Sequence, residues 1–346
     1  MVPNMESKVD YIFGDKLPVP LEPIEVAEGI LWFRLPMPIA LDHINIYLLD
    51  DGDSWVLIDT GLADTKSIEI WTNILKKYLS KRPIQKIIGT HFHPDHVGLA
   101  GWLIERTDAE FWMTQIERLS ARQAYLTVDS GASQAMSAFY KKANLKPDLI
   151  KIYEDIGNDY RSMVTPIPLE YERIEHSTSF KIGDRVWKPV FGSGHSPDHV
   201  SFYCEKDRIM LGGDMLLPRI TPIIAVWWQE PNADPLKGYI EFLENLGSIG
   251  SDALILPAHN RPYKELQTRV ADLIFHHNER LEITYEACKN ENSAEAIMQE
   301  LFIRKLDPFQ TRFAIGETIA HINNLIKKGT LRRRLDDDGV YFYSQN

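Results

Sequence analysis

Six consecutive residues, His91-Phe92-His93-Pro94-Asp95-His96, carry four side chains able to bind a metal ion. Imidazole nitrogen and carboxylate oxygen are the donors of zinc, iron and manganese sites, and crowding them onto one short loop is costly unless a cation holds them together. In an extended segment His91 and His93 point the same way, which suits two ligands of one ion. Asp95 and His96 follow where the chain must turn and can face the other side of the same small volume. The pattern therefore suggests two ions. Later stretches add residues of the same chemistry: His195 in Gly192-Ser193-Gly194-His195-Ser196-Pro197-Asp198-His199, Asp214 after Gly212-Gly213, and His259 in Pro257-Ala258-His259-Asn260. Asp59, followed by Thr60-Gly61, is one more carboxylate placed before a sharp turn.

Each of these residues stands at or just past the end of an apolar, strand-like run. Trp55-Val56-Leu57-Ile58 precedes Asp59, Ile84 to Thr90 precedes His91, Ser179 to Phe191 precedes the His195 loop, and Ala253 to Leu256 precedes His259. Val200 to Cys204 and Arg208 to Leu211 form a hairpin that delivers Asp214, with glycines that let the backbone approach whatever the carboxylate binds. Between the strands, Ile70, Trp71, Ile74, Leu75, Tyr78 and Leu79 recur at helical spacing, as do Leu99, Trp102 and Leu103. Asp234-Pro235 is an N-cap and first residue for another helix. Strands alternating with helices predict a layered α/β fold, and loops at strand ends are where such folds concentrate their sites.

The remainder divides around this frame. Residues 1–25 are Pro-rich and read as an extended surface arm; residues 26–262 hold the strands and all the candidate ligands. Within them, about 115–178 reads as a helical insertion, rich in aromatics, laid over the ligand loop. Residues 263–346 read as helices over 265–290, 293–301 and 316–328, closed by a hairpin with an acidic turn at Asp336-Asp337-Asp338, a small winged-helix-like domain.

The chain has 346 residues, 44% hydrophobic and 25% charged, with a formal net charge of −11 that argues against a broad grip on nucleic acid. It has no run of about 18 or more apolar residues, so no membrane span is expected. No secretory signal is visible before Pro20, and the two cysteines, Cys204 and Cys288, form no framework or Cys-x-x-Cys pair; together these point to a cytoplasmic protein acting on a small molecule. The arm and the C-terminal helices leave room for a homo-oligomer.

Taken together, HFHPDH at 91–96, His195 in GSGHSPDH, Asp214 in GGDML, His259 in PAHN and Asp59 in VLIDTG resemble the metallo-β-lactamase-fold hydrolase superfamily. The resemblance covers about residues 26–262, and the helical tail is similar to the winged-helix-like extension of several members. It implies a four-layer αββα sandwich with a metal site at one edge of two sheets. By position, His91, His93 and His195 would hold one ion, Asp95, His96 and His259 a second, and Asp214 would bridge them. Asp59 would orient a ligand, and His199 would be structural.

Two divalent cations, zinc by preference with iron or manganese as alternatives, about 3.5–4 Å apart, can share a hydroxide and so supply a nucleophile near neutral pH. Asp95 would hold its ion and could relay a proton to the leaving group. The substrate side is less sharply written. Trp227 and Trp228, with Phe139 and Tyr140 of the insertion, are candidates for an apolar pocket, against ordinary core packing. If they line the cleft, the expected reaction is hydrolysis of a carboxylic ester, thioester or lactone. Phosphodiester cleavage, for which Lys327, Lys328 and Arg332 to Arg334 form the one basic cluster, and single-iron persulfide oxidation are the alternatives within the same resemblance.

Overall fold

A computed structural model describes residues 9–127 and 130–346. Of the arm, residues 1–8 lie outside the described residues; the rest runs over the surface, where Lys264 N–H donates to Asp10 O and Tyr78 Oη to Leu21 O.

The first sheet runs β1 (Ile24–Ala27), β2 (Ile30–Pro36), β3 (His43–Asp50), β4 (Trp55–Ile58), β5 (Ile84–Ile88), β6 (Glu110–Met113) and β7 (Glu172–Arg173), in that spatial order. Its first four strands form an antiparallel meander, and β4 through β7 are parallel. The parallel part needs crossovers, and α1 (Thr65–Tyr78) and α3 (Ala100–Thr107) supply them, with the short α2 (Pro94–Val97) formed by the ligand loop itself. Asp64 caps α1 by accepting from Ser67 N, and Trp71 Nε1 donates to Thr60 O at 2.8 Å, which ties the helix to the tip of β4 just beyond Asp59.

The insertion is helical as expected: α4 (Gln115–Leu126), α5 (Ser130–Lys142), α6 (Pro147–Ile156) and α7 (Tyr160–Met163). The second sheet has β8 (Phe180–Ile182), β9 (Arg185–Gly192), β10 (His199–Cys204), β11 (Ile209–Gly213) and β12 (Leu254–Pro257), antiparallel except for the parallel pair β11 and β12, which α8 (Pro235–Asn245) connects.

Strand alternation divides the core into layers. On β3, Ile44, Ile46 and Leu48 face outward to pack with Trp71, Ile74 and Leu103 of the helices, whereas Tyr47 and Leu49 face inward with Val56, Ile58, Phe202, Leu211 and Leu256 of the two sheets. On the far side, Met210 and Ile255 meet Leu236, Tyr239, Phe242 and Leu243 of α8. Helix, sheet, sheet and helix are thus stacked as a four-layer sandwich.

The C-terminal region comprises α9 (Leu266–Ala287), β13 (Asn292–Ser293), α10 (Ala294–Leu301), α11 (Pro308–Lys327), β14 (Leu331–Leu335) and β15 (Tyr341–Gln345), with a three-stranded sheet of order β13-β15-β14. α11 begins at Pro308, ahead of the expected start at Gly316, because Asp307 and Gln310 form a capping box there. Gly316 sits mid-helix for a packing reason: a Cβ there would lie 3.0 Å from both Ala225 Cβ and Val226 O. The insertion packs on this region too, with Tyr153 Oη donating to Pro308 O at 2.7 Å and Glu295 N to Ala143 O at 3.0 Å.

Candidate metal centre

Main-chain hydrogen bonds lock the strand ends together at the site. Val200 N donates to Thr90 O, Ala258 N to Gly213 O, and Asn45 N to Ala258 O, so β5, β10, β11, β12 and β3 converge on one edge of the sandwich. Thr60 N and Oγ1 both donate to His96 O and fix the ligand loop to the tip of β4.

Here all seven expected ligands meet. His91, His93, His195 and Asp214 form one group and Asp95, His96 and His259 another, each with its ligand atoms within 4.8 Å of one another. Asp214 faces both groups with different oxygens. Its Oδ2 is 3.1 Å from His195 Nε2, and its Oδ1 is 3.4 Å from His96 Nε2 and 3.3 Å from His259 Nε2. Asp95 Oδ2 closes the second group, 3.4 Å from His259 Nε2 and 3.6 Å from His96 Nε2.

The second ring nitrogens decide which atoms are left free. His259 Nδ1 lies 2.8 Å from His43 O and His195 Nδ1 lies 3.0 Å from Ile223 O. A carbonyl only accepts, so Nδ1 carries the proton and the Nε2 lone pair of each ring is available to a cation. His96 Nδ1 is held by Asp59 Oδ2 at 2.8 Å, and Asp59 also accepts from Thr90 N and Thr90 Oγ1, both at 2.9 Å. Carboxylates and carbonyls in this position orient ligands and raise their basicity.

Three of the inward-facing atoms, His96 Nε2, His195 Nε2 and Asp214 Oδ1, are buried without a hydrogen-bond partner. Each such group costs about 1–3 kcal/mol if left unmatched. Divalent cations are the partner that this donor set fits. The charge balance agrees. Burial and then the neighbouring imidazoles hold His91 well below its ordinary range, and the same causes, His195 foremost among the neighbours, bring His93 down to about 3. In the second group burial works against a charged ring, yet Asp59, Asp95 and Asp214 raise His96 well above its ordinary value, and Asp214 with Asp95 pushes His259 up to about 10. That corner carries the excess negative potential a cation would neutralise.

His199 belongs to neither group. Its Nε2 accepts from Asp214 N at 3.3 Å, and a Cβ at Gly213, where φ is +53°, would fall 2.4 Å from that nitrogen. The ring thus supports the backbone that presents Asp214, which is why glycine precedes the carboxylate.

Glu117 is a site residue that the sequence does not single out. Thr114-Gln115-Ile116-Glu117 has the form of a capping box, so a glutamate there reads as a helix-start residue. Thr114 does cap α4, but the Glu117 carboxylate turns inward. It accepts from Phe92 N at 2.9 Å, Ser196 Oγ at 2.7 Å and Asp198 N at 2.6 Å, joining the two histidine loops. Burial pushes its pKa up to about 7 against those donors.

The centre opens into a cavity of about 1000 Å³ whose lining includes Phe92, His93, His195, Trp227, Trp228 and Arg312. Both tryptophans expected at the pocket are on its wall. Phe139 and Tyr140 are not: they are buried in the core that the insertion shares with the C-terminal region, because α5 turns its aromatic face towards α6 and away from the cavity. Met136, one turn earlier, is the α5 residue that both the core and the cavity lining include.

The sandwich, the converging strand ends and the histidine and aspartate groups define a metallo-hydrolase. The chain belongs to the metallo-β-lactamase superfamily, whose pattern matches residues 39–259, and residues 281–346 match a metallo-β-lactamase-like C-terminal domain. Over its length it is similar to a crystallised β-lactamase domain protein from Burkholderia ambifaria, with 35% identity, TM-score 0.90 and 99% of each chain covered. It is also similar to a probable metallo-hydrolase, YqjP, of Bacillus subtilis, 23% identical over 91% of this chain and 98% of that one. An atrochrysone carboxyl ACP thioesterase of Emericella nidulans is 23% identical over 66% of this chain, which spans 54% of that protein.

Proposed function

We propose that this protein is a binuclear metallo-hydrolase, with zinc as its metal, acting on carboxylic esters, thioesters or lactones that have an apolar part. The observation that carries the reading is Asp214, whose two oxygens face two separate groups of ligands at the inner end of an aromatic-walled cavity that His93 and His195 line. When bound, a pair of divalent cations activates water near neutral pH and polarises a scissile carbonyl.

The chain's own residues do the rest. His91, His93 and His195 would hold one ion, and Asp95, His96 and His259 the other. Asp59 and the His43 and Ile223 carbonyls fix the rings so that their free nitrogens converge. Asp95 closes the second group, where one carboxylate oxygen would hold an ion while the other would take a proton from the attacking water and pass it to the departing alkoxide or thiolate. Trp227 and Trp228 take the apolar part of the substrate. The similarity to a thioesterase supports the acyl class. Against the phosphodiester alternative, all three arginines of the basic cluster have partners on the protein: Arg334 pairs with Glu291, Arg333 donates to Asn232 and Arg332 to Ser344 Oγ.

The test is metal analysis of the purified protein, followed by an activity panel of thioesters, lactones, phosphodiesters and a persulfide. We expect two equivalents of metal and turnover of the thioester or lactone that chelation abolishes and zinc restores. Turnover of the phosphodiester or the persulfide alone would overturn the assignment.

A further inference from the structure

One wall of the cavity comes from outside the catalytic domain. α11 places Arg312 on the same lining as His93, His195 and Trp227. Among the described residues, no ion pair includes Arg312, and its Nε is buried without a hydrogen-bond partner. Its polar neighbour on the protein is Tyr140, through a neutral hydroxyl that leaves the positive charge unpaired.

The side chain is nevertheless well supported. Its guanidinium lies 5.8 Å from the centre of the Trp227 ring, which Phe313 braces edge-on at 5.7 Å, and Phe309 backs Phe313 at 4.9 Å. Val226 N donates to Gly316 O at 3.0 Å, fixing the tryptophan segment to α11. The result is a cation on an apolar, braced platform, facing a cavity that ends at the metal centre. A planar guanidinium with an unmatched N–H suits an oxyanion such as a carboxylate or phosphate, and an apolar surround strengthens that match. In a chain of net charge −11, an anionic substrate would need such a local anchor.

We infer that Arg312 is a specificity-determining residue that binds an oxyanion of the substrate remote from the scissile bond, so that the substrate is an anionic acyl ester or thioester and the C-terminal domain completes the active site. This rests on the hydrolytic reading above. Trp227 then serves two ends at once, as the platform for the guanidinium and as apolar wall for the acyl or thiol portion between anchor and metal.

The experiment uses the metal-loaded full chain and three thioesters: the butyryl and succinyl thioesters of N-acetylcysteamine, and the butyryl thioester of phosphopantetheine. These are neutral, carboxylate-bearing on the acyl side and phosphate-bearing on the thiol side. We expect Arg312→Gln to lower the ratio of kcat/KM for one anionic substrate over the neutral one by about tenfold or more, chiefly through KM, with Arg312→Lys recovering part of it. Which anionic substrate responds identifies the oxyanion. A ratio unchanged for both would overturn the inference.

Calorimetric titration of glutarate and of inorganic phosphate into the metal-free full chain separates this outcome from failure of the hydrolytic reading. Saturable binding of either by the wild type that Arg312→Gln removes upholds the anchor even if no thioester is cleaved. Equal heats from both proteins, or none from the wild type, would refute it.

Discussion

Glu117→Gln removes one charge and keeps the shape, which makes it a sharp probe of how the two histidine loops are held. The carboxylate faces donors only: Phe92 N at 2.9 Å, Ser196 Oγ at 2.7 Å and Asp198 N at 2.6 Å. A glutamine offers one oxygen and one NH2. If the oxygen keeps Ser196 and Asp198, the NH2 meets the Phe92 N–H; in the flipped amide the Ser196 hydroxyl can turn to accept, but the NH2 meets the Asp198 N–H. At least one buried donor is left unmatched, at about 1–3 kcal/mol. Burial of the charge complicates stability, since it pushes the Glu117 pKa up to about 7 and glutamine relieves that cost. Metal affinity avoids the complication, because the burial cost is shared by metal-free and metal-loaded protein and cancels. What remains is the freedom of Phe92, between His91 and His93, and of the His195 loop. A partner of ligand loops typically contributes about 10–100-fold in metal affinity, and since glutamine keeps part of the hydrogen bonding the expected loss is about tenfold, at the lower end of that range. Competition with a chromogenic chelator at about pH 8, where the carboxylate is ionised, measures it. Wild-type zinc affinity in Glu117→Gln would show that the loops hold their geometry without this carboxylate.

Stability should fall in acid through a second histidine cluster, at the contact of α9 and α11. Burial, then Arg280 beside it, holds His276 down to about 4; burial holds His321 to about 4; burial and then the neighbouring rings hold His277 well below its ordinary value. These rings are neutral when folded and take up protons when unfolded. The stability they provide is therefore complete above about pH 6.5 and declines down to about pH 4, on the order of 2 kcal/mol each for His276 and His321 between pH 7 and 5. Urea unfolding of the wild type and His321→Asn across that range checks this, and the variant should show the flatter pH dependence; equal slopes would refute it. Gly316→Val should lower the melting temperature by overpacking against Ala225 and Val226, at about 1–3 kcal/mol, and should reduce activity more than a matched change at the exposed Gly247; a fully active, equally stable variant would refute the close contact.

The metal groups are legible in the amino-acid sequence because their signals are local. Dense ligand types on loops, each after an apolar run, mark strand ends, and strand ends of one layered fold share an edge. Glu117 is hidden since its capping-box spacing has a complete local explanation, and its true partners lie on loops distant in sequence. Phe139 and Tyr140 suggest a pocket by residue type alone. Which face of α5 meets the cavity depends on α6 and the C-terminal helices, and no local pattern records that packing. The start of α11 is obscured for the opposite reason: Asp307-Pro308 and Gln310 carry the signal, but Gly316 reads as a boundary unless the tight contact with Ala225 is known. β7, two residues long and paired with a strand far upstream, leaves no periodicity to find.

The seating of α11 on the Ala225–Val226 segment also has a consequence for biogenesis. Every expected metal ligand has been synthesised by His259, whereas α11 begins only at Pro308. At roughly 5–20 residues per second of synthesis, the nascent chain holds all its ligands for several seconds before the helix that carries Arg312 exists. Completion of the ligand set and completion of the cavity wall are thereby separated in time along the ribosome's own direction.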